Sequence, residues 1–135
     1  MDIKESLDRI LAQQDKVTDA FYSVFLDRCP EARSYFQATN MDRQSMNLSM
    51  DLLVIESYYR TASPAAGQYL HYQGTRHHDR GVPLEFYPQF QDALLLIFRL
   101  FHGLDWDADL EAQWRAALEK ATQAMSVGYQ QHFSV

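Results

Sequence analysis

Apolar side chains recur at Leu110, Trp114, Leu118, Ala121, Met125 and Tyr129, in steps of four and three. That spacing lays them along one face of an α-helix and suits no strand, whose faces alternate at every second residue. The same period runs through the whole chain. Ile3, Leu7, Ile10 and Leu11 form a first stripe, and Val17, Phe21, Val24 and Phe25 a second. Pro30 opens a short piece reaching Phe36, since a proline costs nothing in a first turn. A long helix opens near Thr39 or Asn40, both good caps, and carries Met41, Gln44, Leu48, Leu52, Ile55 and Tyr59 on one face. Pro64–Arg80 predicts a weaker helix with Ala66, Leu70 and His77 in line, stopped by Gly81 and Val82-Pro83. Phe86, Phe90, Leu94, Ile97 and Phe101 predict the next, which breaks at His102-Gly103, and Asp105 or Asp107 caps the last. The few Gly and Pro residues are expected at helix ends. The expectation is one all-α domain, residues 1–135, of about seven helices.

Composition narrows the function. The formal net charge is -6, from 12 Lys and Arg against 18 Asp and Glu, and no basic run is present. Such a chain offers little to nucleic-acid phosphates or to an anionic membrane surface, so neither is expected as a partner. The one cysteine, Cys29, excludes an internal disulfide framework and a Cys-rich zinc site, and is expected as a small buried hydrophobe. The opening Met1-Asp-Ile-Lys-Glu-Ser lacks the apolar run of a signal peptide, and the longest apolar run, Ala93–Phe98, is too short to cross a bilayer. A soluble, cytoplasmic protein is the expectation. Met41, Met46 and Met50 are expected to pack in the core.

Polar side chains on apolar stripes are the informative exceptions. His77 and Gln44 are the clearest, and Tyr22 flanks the second stripe. A histidine so placed is either satisfied by a backbone carbonyl or solvated at a helix end, or it is a ligand. With no carboxylate at metal-site spacing, a ligand reading requires an iron already held by a macrocycle, for which one protein ligand suffices. His71, His102 and His132 show none of the i, i+4 spacing of a helical zinc site. Gln44 is either a surface amide or a donor turned inward, and Tyr22 either a core aromatic or a second donor. His78 and Asp79 point elsewhere on the helix and are expected at the surface.

Several segments carry a resemblance. Phe21-Tyr22 precedes Cys29-Pro30-Glu31-Ala32-Arg33-Ser34-Tyr35-Phe36; Arg76-His77-His78-Asp79-Arg80-Gly81-Val82 is followed by Tyr87-Pro88; Ala93-Leu94-Leu95, Gly103, Trp106 and Trp114 complete the pattern. Together they resemble the bacterial single-domain globins and the globin modules of flavohaemoglobins, over nearly the whole chain. The resemblance implies a globin fold around haem b (iron protoporphyrin IX), with His77 as the proximal iron ligand. It implies that Phe36 wedges against the haem face, that Tyr22 is the distal tyrosine, and that Val82, Tyr87 and Phe90 line the proximal side. Gln44 is the distal glutamine if one residue is inserted after Phe36, which places Leu48 over the haem; without the insertion the position falls to Met46. Arg76 and Arg80 flank His77 and are either partners for haem propionates or solvated. The family often joins the tyrosine at Tyr87 to a glutamate on the last helix, and here Met125-Ser126-Val127-Gly128-Tyr129-Gln130 holds no acid, which speaks against strong peroxidase-like activation.

The implied function is binding of O2, and of NO or CO, at a five-coordinate haem iron with tyrosine and glutamine donating hydrogen bonds to the gas. Bonds to a charged acceptor are worth about 1.5–3 kcal/mol each, so two slow dissociation roughly 10²- to 10⁴-fold. The alternatives are an NO dioxygenase served by a separate reductase, a haem-based gas sensor, and a haem-free globin scaffold.

Overall fold

The computed structural model describes residues 1–36 and 40–130, with Met41 described by its backbone alone. Thr39 and His132 lie outside the described residues. The described chain is all-α. Its helices are α1 (Ile3–Leu11), α2 (Gln14–Arg28), a 3-10 helix (Pro30–Tyr35), α3 (Met41–Thr61), α4 (Pro64–Asp79), α5 (Phe86–His102), a 3-10 turn (Gly103–Asp105) and α6 (Ala108–Gln130), with no strand among the described residues. No helix among them is long and apolar enough to cross a membrane.

Side-chain caps set several helix starts. Asp2 accepts from the Glu5 amide at 2.9 Å, and Asn40 from Asp42 and Arg43 at 2.8 and 3.3 Å. Ser63 caps α4 beside Pro64 in the first turn, and Asp107 accepts from the Leu110 amide at 2.8 Å. Each oxygen satisfies a backbone donor that the first turn leaves without a partner. Between α4 and α5 the chain turns at Gly81, whose φ of +78° favours glycine.

The stripes meet in one core. Phe21, Leu94, Phe98, Leu110 and Trp114 are completely buried at its centre. A polar knot ties α1 to α5 and α6 inside it: Trp114 Nε1 donates to Ser6 Oγ at 2.9 Å, and Ser6 Oγ lies 2.6 Å from His102 Nε2. Cys29 is buried, as expected. Met46 and Met50 are not: they are 60% and 55% exposed, on the far side of α3 from Leu48 and Leu52. Their spacing of four marks a helical face without saying which way it points.

Glycine placement also corrects the sequence reading. Gly67, Gly74 and Gly128 lie inside helices, not at their ends. Where α4 crosses α6, a Cβ on Gly74 would stand 1.9 Å from the Met125 carbonyl oxygen, and one on Gly128 would stand 2.4 Å from that of His71. The two backbones touch, and Thr75 Oγ1 donates across the crossing to the Gly128 carbonyl at 3.3 Å. A glycine inside a helix costs about 1 kcal/mol relative to alanine; here the close approach requires it. Gly74→Ala and Gly128→Ala are therefore each expected to destabilise the protein by ~2 kcal/mol or more, read as a lower urea midpoint, despite the gain in helix propensity.

Candidate functional site

α4 carries His77 in its last turn, and the imidazole forms part of the wall of an apolar cavity. The cavity has a volume of about 120 Å³ and opens to solvent at its mouth. α3 supplies Leu48 and Ile55, α2 and α5 the ring pair Phe25 and Phe90, and α6 Leu118 and Met125. Phe36 and Val82 close two of its sides.

His77 is gripped from behind. Its Nδ1 lies 2.7 Å from the hydroxyl of Tyr87, a buried residue in the first turn of α5. The Tyr87 ring stands edge-on to that of Tyr129 on α6, with centroids 5.9 Å apart, and Tyr129 donates to the Val82 carbonyl at 2.7 Å. Burial, reinforced by the positive charges of Arg80 and Arg76, lowers the His77 pKa from 6.5 to about 4. The ring is neutral at neutral pH. Burial pushes the Tyr87 hydroxyl upward as well, so it too stays protonated.

At the Phe36 end, the ring of Tyr22 packs on Phe36 with centroids 5.3 Å apart. Gln44 Nε2 donates to Tyr22 Oη at 3.1 Å, and Asn47 donates to Gln44 Oε1 at 3.4 Å, which fixes the orientation of the amide. Tyr22 is buried, and burial pushes its pKa up. Tyr22 and Gln44 stand beside the cavity without lining it, whereas Phe36, Leu48, His77, Val82, Tyr87 and Phe90 do line it. Met46, the rival position to Gln44, projects into solvent. Arg76 is exposed, its guanidinium 5.8 Å from the centre of the Tyr72 ring. Arg80, also exposed, donates to the Tyr35 carbonyl at 3.4 Å. His78 points away from the cavity, with Nδ1 3.3 Å from Asp79 and its ring edge-on to Tyr129.

A second polar group on the wall went unread in the sequence. Tyr69 Oη donates to Asp51 Oδ1 at 3.0 Å, and Gln73 Nε2 reaches Tyr69 Oη at 3.0 Å and Asp51 Oδ1 at 3.4 Å. Burial pushes the Asp51 carboxyl up, against the two donors and the Arg76 charge that pull it down. Asp51 lies three residues after Leu48 and four before Ile55, so its place on the cavity face was legible from spacing. Its partners, from another helix, were not.

Among the described residues no group of three or more His, Cys, Asp or Glu could hold a metal ion. A bare cation would find His77 alone. An iron already held by a macrocycle needs only one such imidazole, and the apolar, aromatic lining suits the body of that macrocycle. The residues present therefore fit a haem.

The buried imidazole has a consequence for the cofactor-free protein. The unfolded chain protonates His77 near pH 6.5 and the folded chain only near pH 4, so the unfolded state binds more protons between them. The contribution to stability is complete above that window and falls as pH drops through it. His102, also lowered by burial, adds the same sign, while Asp51 opposes it. His77→Gln is expected to reduce the slope of unfolding free energy against pH by up to one proton, measured by urea melts from about pH 4 to 7.

Compared with known proteins, the chain matches no protein-family model and no curated protein sequence.

Proposed function

We propose that this chain is a globin-type haem protein that binds a diatomic gas, with His77 as the protein ligand to iron. The observation that carries this reading is a neutral imidazole on the wall of an apolar cavity, its Nδ1 2.7 Å from Tyr87 and its other nitrogen left for a ligand. Haem held there would supply a ferrous iron able to bind O2, NO or CO.

The chain's own residues do the rest. His77 binds through Nε2, while Tyr87 prevents the ring from rotating about its Cβ–Cγ bond. Phe36, Leu48, Val82 and Phe90 pack the macrocycle and exclude water, which strengthens each remaining polar contact. Arg76 and Arg80 carry the positive charge that His77 feels most, and they are the cations nearest to hand for the carboxylates of a haem. Because the Gln44 amide donates to the Tyr22 oxygen, the Tyr22 hydroxyl keeps its own proton to give to the gas. Its raised pKa keeps that proton in place. A donor aimed at a ligand carrying partial negative charge holds O2 more tightly than CO.

Reconstitution with haem tests the reading. A ferrous protein with an intense Soret band that shifts on adding CO is expected, and His77→Ala is expected to lose the five-coordinate spectrum. Tyr22→Phe is expected to speed O2 dissociation about tenfold or more, for ~1.4 kcal/mol lost. A chain that takes up no haem, or a Tyr22→Phe variant with an unchanged O2 off-rate, sinks the gas-binding role.

A further inference from the structure

Asp51 is a polar group on the cavity wall that the haem reading leaves unused. It sits on α3 between Leu48 and Ile55, which line the same cavity about one turn to either side. Its hydrogen bonds all fall on one oxygen. Tyr69 Oη donates to Oδ1 at 3.0 Å, and Gln73 Nε2 reaches Oδ1 at 3.4 Å and Tyr69 Oη at 3.0 Å. The Tyr69 proton and the amide protons of Gln73 are committed to this triangle. Among the described residues no donor reaches Oδ2, yet no buried side-chain oxygen lacks a partner, so Oδ2 borders open space. Burial opposes ionisation of this carboxyl, while Tyr69, Gln73 and the charge of Arg76 favour it. An ionised carboxylate can only accept.

Around Asp51 the wall is apolar, with Leu48, Ile55 and Leu70 near it in the chain or across from it on α4, and Phe25 and Phe90 beyond. A volume of about 120 Å³ is close to the ~150 Å³ at which a cavity lined by Leu, Ile and Phe takes up one benzene ring. Aromatic walls also meet a ring favourably edge-on. We propose that the cavity of the haem-free chain binds a single aromatic ring bearing one hydrogen-bond donor, a phenol, with its hydroxyl on Asp51 Oδ2 and its ring against Leu48, Ile55 and Leu70. An ammonium would have to shed its hydration to enter so apolar a space, whereas a neutral hydroxyl donates at a far smaller cost. The site needs no iron and stands on this wall alone.

The full-length, haem-free chain is titrated with phenol, with toluene of the same shape, and with anisole, which can only accept, each followed through the methyl signals in NMR spectra. Wild type is expected to bind phenol about tenfold more tightly than toluene. Anisole is expected to do no better than toluene, and the phenol ring to show nuclear Overhauser contacts to the methyls of Leu48, Ile55 and Leu70. Asp51→Asn keeps the shape but turns an amide NH2 toward the cavity, and is expected to bring phenol down to the level of toluene. Equal binding of phenol and toluene by wild type overturns the proposal without any variant, as does anisole bound as tightly as phenol. A phenol preference that survives in a natively folded Asp51→Asn chain overturns it too, since the hydroxyl then sits on another group. Haem fills the same cavity and is expected to displace phenol. Phenol selectivity in a chain that takes up no haem would remove the haem reading and leave this one standing. Haem uptake with phenol and toluene bound alike would do the reverse.

Discussion

α4 and α6 approach until their backbones touch at Gly74 and Gly128, and the geometry of the site follows from that contact. With any side chain at either position, the helices would separate by roughly the width of a methyl group or more. The contact places Tyr129 beside the end of α4, where its hydroxyl reaches the Val82 carbonyl beyond the helix terminus. A second tie holds the same corner, since Tyr35 Oη donates to the Gly81 carbonyl at 2.8 Å. The turn after His77 is thus fixed from α6 on one side and from the 3-10 helix on the other. His77 gains a defined orientation without any bond to an acidic group.

The interior separates polar and apolar demands in space. Among the described residues no buried side-chain nitrogen or oxygen lacks a hydrogen-bond partner. Ser6 serves Trp114 and His102; Ser45 donates to Asp15 and pairs with the Thr18 hydroxyl where α2 meets α3; Gln91 bonds to Thr122 between α5 and α6. Each knot joins elements far apart in the chain and satisfies groups that would otherwise cost free energy on burial. The cavity is the apolar counterpart, with polar groups on its wall at His77 and Tyr87, at Asp51 and Gln73, and at Gln91 and Thr122. A ligand entering it would leave water behind and meet a neutral imidazole oriented in advance.

Much of this was written in local spacing. The helices follow from stripes in steps of three and four; of the polar exceptions on those stripes, His77 lines the cavity and Gln44 turns to Tyr22 beside it. Gln44 and Met46 show how far spacing reaches. Two residues apart, they sit about 200° apart around a helix, so only one can face Tyr22. Which one does so depends on the phase of α3, and the 3.1 Å bond from Gln44 to Tyr22 decides it. Met46 and Met50 share the opposite face, and a stripe of methionines reads equally well as core or surface until a neighbour is known.

The sequence by itself determined the helical class, the caps to one of two residues each (Thr39 or Asn40, Asp105 or Asp107), the stop at Gly81, and the presence of one imidazole among apolar neighbours. All are set by groups within a few residues of one another, where backbone hydrogen bonding and side-chain period operate. Only the tertiary structure decided that Gly74 meets Met125, that Asp51 meets Tyr69 and Gln73, and that Tyr129 stands behind Tyr87. Those pairings join separate helices, and no local period encodes the depth or angle at which two helices cross. Packing selects that geometry, and the orientation of His77 against Tyr87 follows from it.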